Sequence, residues 1–187
     1  MSVVIIDHED SFTYNIVELL RKAGQTPEVV SIKQLEASSL AAFDKFILSP
    51  GPGLPENYHL TKQILNTYKN KKKILGICLG HQIIAQYFGA KVINLNQVIH
   101  GQNKQIITKQ DTKLFQNIPA TFNVGLYHSW IVSQNGFPKD LKVTAQTKQG
   151  DIMAISHKKF PIFGVQFHPE SYISEYGLQI IKNFLNA

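Results

Sequence analysis

Two hydrophobic patterns alternate along the first half of the chain. Short apolar runs, which are typical of strands covered on both faces, lie at 3–7, 29–32, 46–48 and 74–77. Between them, apolar residues three and four positions apart predict helices that begin after a Ser11 cap, at 57–69 and at 80–88. This order predicts an α/β fold with a parallel sheet and right-handed crossovers.

Short strand patterns separated by turns fill the second half. They lie at 92–94, 105–108, 122–126, 141–145, 152–156 and 162–167. These segments predict an antiparallel or mixed extension of the same sheet, and a helix over 173–185 follows them. Because no linker or repeat interrupts this order, we expect one domain over residues 1–187.

Composition and charge narrow the class of protein. A chain that is 43% hydrophobic and 17% charged is not disordered, and no apolar run approaches the ~18 residues that span a bilayer. The net charge is +6, but the lysines are scattered, and we place their one run, at 71–73, at the exposed end of a helix before a strand. We therefore expect no nucleic-acid or membrane partner.

The single cysteine, Cys78, excludes an intramolecular disulfide and any zinc site that needs two thiolates. The N-terminus lacks the basic region of a signal peptide. We expect a reducing, cytoplasmic compartment and no metal.

The sequence G-I-C-L-G at 76–80 joins a predicted strand to a predicted helix. This is the pattern of a nucleophile elbow, with cysteine in place of serine. A helix N-terminus also stabilises a thiolate. A lone cysteine is more often a small buried hydrophobic residue, but the flanking glycines favour a nucleophile at Cys78.

His168 and Glu170 follow the strand predicted at 162–167 and are separated by Pro169. Residues two apart in an extended chain project to the same side, so the carboxylate can hold one nitrogen of the imidazole. A strand-end turn with incidental polar residues is the alternative. Together with Cys78, the pair predicts a Cys–His–Glu triad.

Acyl transfer also requires donors for an oxyanion. The N–H of Leu79, directly after the cysteine, is one candidate. The loop S-P-G-P-G-L-P at 49–55 offers N–H groups at Gly51, Gly53 and Leu54, and its glycines allow close approach of a substrate. A rigid turn is the alternative, since the loop lacks the third glycine of a dinucleotide fingerprint and the chain has no P-loop.

Five motifs in order resemble those of a known family. S-P-G-P-G at 49–53, G-I-C-L-G-H-Q at 76–82 and G-V-Q-F-H-P-E-S at 164–171 resemble class I, triad-type glutamine amidotransferases. D-S-F-T-Y-N at 10–15 and V-I-H-G at 98–101 resemble the small glutaminase subunit, component II, of anthranilate synthase and aminodeoxychorismate (p-aminobenzoate) synthase. The resemblance covers essentially the whole chain and implies a flavodoxin-like fold, with no room for a fused synthase domain.

The resemblance also implies the chemistry. Cys78 would attack the side-chain amide of L-glutamine and form a γ-glutamyl thioester, His168 would transfer protons, and Glu170 would orient His168. Gly53 and Leu79 would supply the oxyanion amides. The implied glutamine-binding residues are Gly51, Pro52, Gly53, Gln82 and the backbone of Ser129 and Trp130. The implied partner is a chorismate-using synthase subunit that receives ammonia, and this chain would carry no cofactor.

The chain departs from the family pattern in two segments. D-H-E-D-S-F at 7–12 stands where D-N-Y-D-S-F is usual, and in the segment 126–130 Leu126 stands where an arginine is usual and Trp130 where a leucine is usual. These departures bear on glutamine recognition or on the partner interface. We favour the anthranilate branch of tryptophan biosynthesis. The p-aminobenzoate branch of folate biosynthesis, a subunit shared by both, a stand-alone cysteine hydrolase or peptidase, and a non-catalytic flavodoxin-like binding module remain alternatives.

Overall fold

The computed structural model describes residues 2–109 and 112–187. Its strands are β1 (Val3–Asp7), β2 (Glu28–Ser31), β3 (Lys45–Leu48), β4 (Lys73–Ile77), β5 (Val92–Thr108), β6 (Thr121–Val132), β7 (Leu141–Thr147), β8 (Ile152–His157) and β9 (Ile162–Val165). Its α-helices are α1 (Thr13–Lys22), α2 (His59–Tyr68), α3 (Leu79–Tyr87) and α4 (Gly177–Asn186). Short 3-10 turns lie at Ala37–Ala42, Pro55–Asn57 and Lys113–Phe115. No helix in these described ranges is long and apolar enough to cross a membrane.

All nine described strands form one sheet in the order β2-β1-β3-β4-β9-β8-β7-β5-β6. Neighbouring strands from β2 to β9 are parallel, and those from β9 to β6 are antiparallel. The predicted α/β class, with a mostly parallel centre and an antiparallel extension, is therefore confirmed. Because parallel strands end at the same edge, the loops after β1, β3, β4 and β9 meet there.

Helices cover both faces of the parallel part of the sheet. Ile16 and Leu20 of α1 share one core cluster with Ile180 and Phe184 of α4. A second cluster holds Ile64 and Leu65 of α2 with Ile83 and Ile84 of α3. The central strands are therefore buried on both faces, which explains their uninterrupted apolar runs.

The predicted Ser11 cap is wrong. Helix α1 begins at Thr13, Phe12 occupies the N-cap position without a side-chain cap, and Ser11 is exposed. Two carboxylates accept hydrogen bonds at the start of the helix instead: Asp10 accepts the N–H of Phe12 at 2.8 Å, and Asp7 accepts the hydroxyl of Thr13 at 2.7 Å. The carboxylates reach the helix start from the end of β1, so the serine is not needed.

Three other boundaries differ from the sequence prediction. The segments predicted at 92–94 and 105–108 are the two ends of one strand, β5. The register of β5 against β6 is irregular in between, so the apolar–polar alternation that would indicate a continuous strand is interrupted there. The lysines at 71 and 72 lie in a turn beyond α2, and Lys73 begins β4. Strand β9 ends at Val165, because the chain then leaves the ladder and His168 N–H donates to the Gly125 carbonyl of β6 at 3.1 Å.

The last helix begins at Gly177 rather than at 173. Tertiary hydrogen bonds hold the residues before it, because Ser174 accepts from Gly125 N–H at 2.9 Å and Glu175 N–H donates to Asn123 O at 3.0 Å. The turn also requires a glycine, since a Cβ at Gly177 would lie 1.9 Å from the Pro169 carbonyl oxygen. This contact anchors α4 against the segment that carries His168 and Glu170.

Candidate active site

Cys78 occupies a sharp turn between β4 and α3. Its φ of 51° and ψ of −102° are unusual for a residue with a side chain, and such strain persists only where the surroundings enforce it. Its N–H donates to the Val165 carbonyl of β9 at 2.8 Å. The side chain therefore stands at the carboxyl edge of the sheet, as the elbow pattern predicts.

The glycines on either side of Cys78 are sterically required. A Cβ at Gly76 would lie 2.4 Å from the Gly80 carbonyl oxygen, and a Cβ at Gly80 would lie 2.3 Å from the Leu48 carbonyl oxygen of β3. Both contacts are with backbone that cannot rotate away. The spacing G-x-C-x-G therefore reports the close approach of strand and helix at this turn.

His168 and Glu170 form a buried pair next to Cys78. His168 Nδ1 lies 2.7 Å from Glu170 Oε1, and the two side chains are only 3% and 0% exposed. They meet within a turn, closed by Ser171 N–H donating to His168 O at 3.2 Å, rather than on the extended segment that the sequence suggested. The short turn brings the carboxylate under the ring directly.

The His168 imidazole is poised to exchange a proton. Burial by itself would lower the pKa of His168, but the neighbouring Cys78 and Glu170 side chains raise that pKa well above its ordinary value. Among the residues that the structure describes, none hydrogen-bonds to the second ring nitrogen, Nε2. Nε2 is therefore available for a proton from the cysteine.

Two aromatic rings hold this imidazole in place. The ring centroids of Phe12 and Tyr127 lie 5.1 and 5.0 Å from that of His168. Tyr127 is itself fixed by a 3.0 Å hydrogen bond between its hydroxyl and that of Ser171. These contacts restrict the His168 ring and exclude water from it. Sequence reasoning did not identify this role for Phe12, which precedes α1.

Other buried histidines have the opposite electrostatics. Burial lowers the pKa of His8 to about 4, that of His81 to about 3 and that of His128 to about 4. His8 is also tied to Ser49 O at 3.1 Å and Thr61 Oγ1 at 2.9 Å, so it supports the end of β3. These three rings are neutral at pH 7, which sets His168 apart from them.

A cavity of about 190 Å³ opens beside Cys78. It is lined by Gly51, Pro52, Gly53, Cys78, Leu79, Gln82, Tyr127, His128, Ser129 and Trp130. Every residue that the family resemblance implies for binding substrate or an oxyanion is in this lining, whereas Leu54, the further donor offered by the loop, is not. The cavity is smaller than the ~300 Å³ at which pockets for drug-sized ligands begin, so it suits one small metabolite. A larger cavity of about 580 Å³, lined by Lys142, Lys158 and Lys159 among others, contains neither Cys78 nor His168.

The loop after β3 packs tightly against the start of α3. A Cβ at Gly51 would lie 2.6 Å from His8 Cβ and 2.8 Å from Leu79 Cδ2. Gly53 has a φ of +77°, which favours glycine, and lies in the lining of the cavity. The N–H of Leu54 donates to Asn57 Oδ1 at 3.1 Å, so it is not available as an oxyanion donor. Gly51, Gly53 and Leu79 remain the candidates, of which the family resemblance implies Gly53 and Leu79.

The departures from the family pattern at Leu126 and Trp130 have different structural consequences. Leu126 is buried in the core and does not line the cavity. Trp130 lines the cavity, but its carbonyl oxygen already accepts from Gln82 Nε2 at 2.8 Å and contacts His128 Nδ1 at 3.1 Å. A ligand would therefore have to use the N–H of Trp130 or the backbone of Ser129.

Gln166 also contacts the cysteine, and sequence reasoning gave it no role. It is fully buried, and its Nε2 lies 3.6 Å from Cys78 Sγ. Its Oε1 accepts from Gln82 Nε2 at 3.0 Å. A polar residue inside the apolar run I-F-G-V-Q-F at 162–167 was the available signal, because a buried amide requires partners.

The fold and this site define a class of protein: an α/β protein that holds a cysteine on a strained elbow beside a buried histidine–carboxylate pair, an arrangement suited to acyl transfer. The model of the family "Glutamine amidotransferase class-I" matches residues 4–187, and the chain belongs to this family. The family assignment made from the motifs is therefore confirmed.

Three curated relatives match along almost their whole length. "Putative anthranilate synthase component II" of Haemophilus influenzae is 40% identical over 99% of this chain and 96% of that protein. "Aminodeoxychorismate/anthranilate synthase component 2" of Bacillus subtilis is 38% identical over 99% of this chain and 96% of that protein. "Aminodeoxychorismate synthase component 2" of Escherichia coli is 36% identical over 98% of this chain and 99% of that protein.

A solved structure has the same fold. The protein is described as a "putative gmp synthase subunit a protein" from Thermoplasma acidophilum. It superimposes with a TM-score of 0.89 and 25% identity, covering 100% of this chain and 92% of that one. The amidotransferase fold expected from the motifs is confirmed.

Proposed function

We propose that this chain is the glutaminase subunit of a chorismate-using synthase, and that it hydrolyses L-glutamine and passes the ammonia to its partner. The observation that carries the proposal is the position of Cys78, on a strained elbow beside a buried His168–Glu170 pair and at the wall of a cavity of about 190 Å³. The names of the relatives, each a component II or component 2 of a synthase, support the same reading.

The first half of the reaction forms a thioester. Cys78 Sγ attacks the side-chain carbonyl carbon of glutamine, and its proton passes to Nε2 of His168. The oxyanion is held by the N–H groups of Gly53 and Leu79. When the intermediate collapses, the C–N bond breaks, His168 returns the proton to the leaving nitrogen, and ammonia departs from a γ-glutamyl thioester.

The second half regenerates the cysteine. His168 takes a proton from a water molecule, and the hydroxide attacks the thioester carbon. The C–S bond then breaks, His168 gives the proton to the departing sulfur, and glutamate and the Cys78 thiol are released. Throughout, the Glu170 carboxylate accepts from Nδ1 and stabilises the imidazolium that forms at each step. The scheme requires no metal or organic cofactor from this chain.

Ammonia must reach a second active site before it is protonated. Near neutral pH, ammonia released to water becomes ammonium, which is not nucleophilic. Large exposed apolar side chains are neighbours of site residues along the chain or in strand register: Tyr14, two residues after Phe12, is 72% exposed, Val98, beside the Ile99 that pairs with His128, 64%, and Tyr172, two residues after Glu170, 94%. Exposed apolar residues of this kind mark interfaces, so we infer that the synthase subunit docks over this face.

The branch of metabolism is set by the partner rather than by this site. We favour component II of anthranilate synthase, in tryptophan biosynthesis. The aminodeoxychorismate synthase of folate biosynthesis is the second candidate, favoured by relatives whose names carry that activity, one of them together with anthranilate synthase. A cytoplasmic location and a single domain over residues 1–187 belong to the same proposal.

The test is to combine the purified chain with each synthase subunit and to measure glutamate and the aromatic product. Wild type is expected to support product formation from glutamine with one synthase or both. Cys78→Ser is expected to abolish glutamine-dependent product and to leave ammonia-dependent product intact, because ammonia bypasses this subunit.

Two results would contradict the proposal. Cleavage of peptides without glutamine turnover in any complex would indicate a stand-alone hydrolase. Full glutamine-dependent product formation by Cys78→Ser would mean that the cysteine is not the nucleophile, as in a non-catalytic binding module.

A further inference from the structure

We propose that Gln166 binds the Cys78 sulfur through an N–H donor that favours the thiolate, and that Gln82 holds this donor in place. The proposal deepens the proposed function and rests on Cys78 as the nucleophile. We name the chain of contacts from the Trp130 carbonyl through Gln82 and Gln166 to Cys78 Sγ the amide relay. Gln166 is thereby a fourth side chain that acts at the reaction centre, beside the three of the triad.

The orientation of the amide relay follows from its anchor. The Trp130 carbonyl oxygen can only accept, so the group of Gln82 that faces it at 2.8 Å must be the NH2. That NH2 has a second hydrogen, which faces Gln166 at 3.0 Å, and the facing atom of Gln166 must then be its carbonyl oxygen. The NH2 of Gln166 is thereby directed at Cys78 Sγ, 3.6 Å away.

The backbone fixes both ends of this last contact. Gln166 N–H donates to Met153 O of β8 at 2.8 Å, and Cys78 N–H donates to the carbonyl of Val165, the residue before Gln166, also at 2.8 Å. The Gln166 side chain is fully buried and Cys78 is 7% exposed. These bonds fix the two backbones, and burial separates both side chains from water.

The relay favours the charged form of the sulfur. A hydrogen bond to an anion is roughly twice as strong as one between neutral groups, and a thiol accepts only weakly. A buried N–H aimed at the sulfur therefore stabilises the thiolate more than the thiol. On forming the thioester the sulfur loses its charge, so the donor acts mainly on the attacking state and on the departing thiolate.

The relay also determines what Gln82 can offer to a substrate. Both hydrogens of its NH2 are used within the protein, at Trp130 and Gln166. Its carbonyl oxygen is the remaining polar atom, and Gln82 lines the cavity. Gln82 is therefore expected to accept a hydrogen bond from the substrate, from an ammonium or an amide NH2, and not to donate one.

Alkylation of the cysteine tests the relay directly. Cys78 is the only cysteine in the chain, so iodoacetamide incorporation into the peptide that carries Cys78, measured by mass spectrometry after digestion, reports on this sulfur even at high pH, where lysines also react. In Gln166→Met, which keeps the volume and removes the donor, alkylation at pH 7 is expected to slow by about tenfold, because the thiolate is the reacting form. At about pH 10, where thiols ionise without help, the two rates are expected to converge.

A matched control is Gln146→Met on β7, which removes a half-buried amide donating to Gly150 O at 3.0 Å, three strands away from β4. It is expected to alkylate like wild type at every pH. Thermal unfolding checks that each variant folds. If Gln166→Met does not fold, Gln166→Asn keeps the buried amide but shortens its reach, and is expected to show the same pH-dependent slowing.

The outcomes separate this proposal from the proposed function. Wild-type alkylation by folded Gln166 variants, or slowing by the same factor at pH 7 and at about pH 10, overturns the relay. A pH-dependent difference in a chain that hydrolyses no glutamine with any synthase supports the relay and refutes the glutaminase. In the active complex, Gln166→Met is expected to lower kcat about tenfold, because the donor to the sulfur is lost.

Discussion

Replacing Glu170 by glutamine tests how much the Glu170 carboxylate, through its buried contact with His168, contributes to the rate of glutamine hydrolysis. The change keeps the size and shape of the side chain and removes only its charge. If the amide oxygen faces Nδ1, the imidazolium loses its counter-charge. If the amide NH2 faces Nδ1 instead, the ring must carry its proton on Nε2, which can then no longer accept one from Cys78.

The structure sets the size of the effect. The bond is 2.7 Å long and its side chains are 3% and 0% exposed, so water cannot replace the lost charge. Loss of the carboxylate in such a site is expected to lower kcat by a hundredfold to ten-thousandfold, or about 3–5 kcal/mol in the barrier. The pKa of His168 is expected to fall, because Glu170 is one of the groups that raise it.

The assay compares glutamine-dependent and ammonia-dependent product formation in complex with the synthase. Only the glutamine-dependent rate is expected to fall. Glu175→Gln is the control, since Glu175 is exposed and accepts the N–H of Asn123 at 2.7 Å without contacting the triad. A Glu170→Gln enzyme within threefold of the wild-type rate would refute the view that the carboxylate orients and charges His168.

Two predictions concern stability. Gly80→Ala places a Cβ 2.3 Å from the Leu48 carbonyl oxygen, so it is expected to reduce the free energy of unfolding in urea by about 3 kcal/mol or more. The control Gly24→Ala has open space around its Cβ and a φ of +80°, so it is expected to lose only the ~1 kcal/mol of left-handed strain. Equal losses in the two variants would contradict the packing argument. Acid is expected to destabilise the folded protein as soon as the pH falls below about 6.5. In the folded state His8, His81 and His128 have pKa values of about 4, 3 and 4, below the ordinary 6.5. The unfolded state therefore binds more protons as the pH falls from 6.5 towards 4. The raised pKa of His168 acts in the other direction, since its contribution is complete below 6.5 and is lost only as pH rises through the folded value. Urea unfolding between pH 7.5 and about 4.5 is expected to show a loss of several kcal/mol, and a flat profile would mean that these rings are not buried in neutral form.

The strands of the parallel sheet and the cysteine elbow follow from local patterns. A strand buried on both faces must be apolar in its interior, and β1, β3 and β4 each have an unbroken apolar run with a charged residue only at one end. A strained turn that packs backbone against backbone must have glycines at both sides, so G-x-C-x-G identifies the position of Cys78 without any knowledge of distant residues. The order of these elements and the motif residues were sufficient to identify the family and to select His168 and Glu170.

Other features depend on residues far apart in the chain. The start of α4 is set by hydrogen bonds from β6, and the position of His168 by the Gly125 carbonyl, neither of which leaves a trace in local periodicity. Two histidines that look alike in the sequence have opposite pKa shifts in the folded chain. Burial lowers the pKa of His81, whereas the Cys78 and Glu170 side chains raise that of His168. Both environments arise only when distant segments pack together. The contact of Gln166 with Cys78, across 88 positions, exists only in the folded chain, because hydrogen bonds form between neighbours in space.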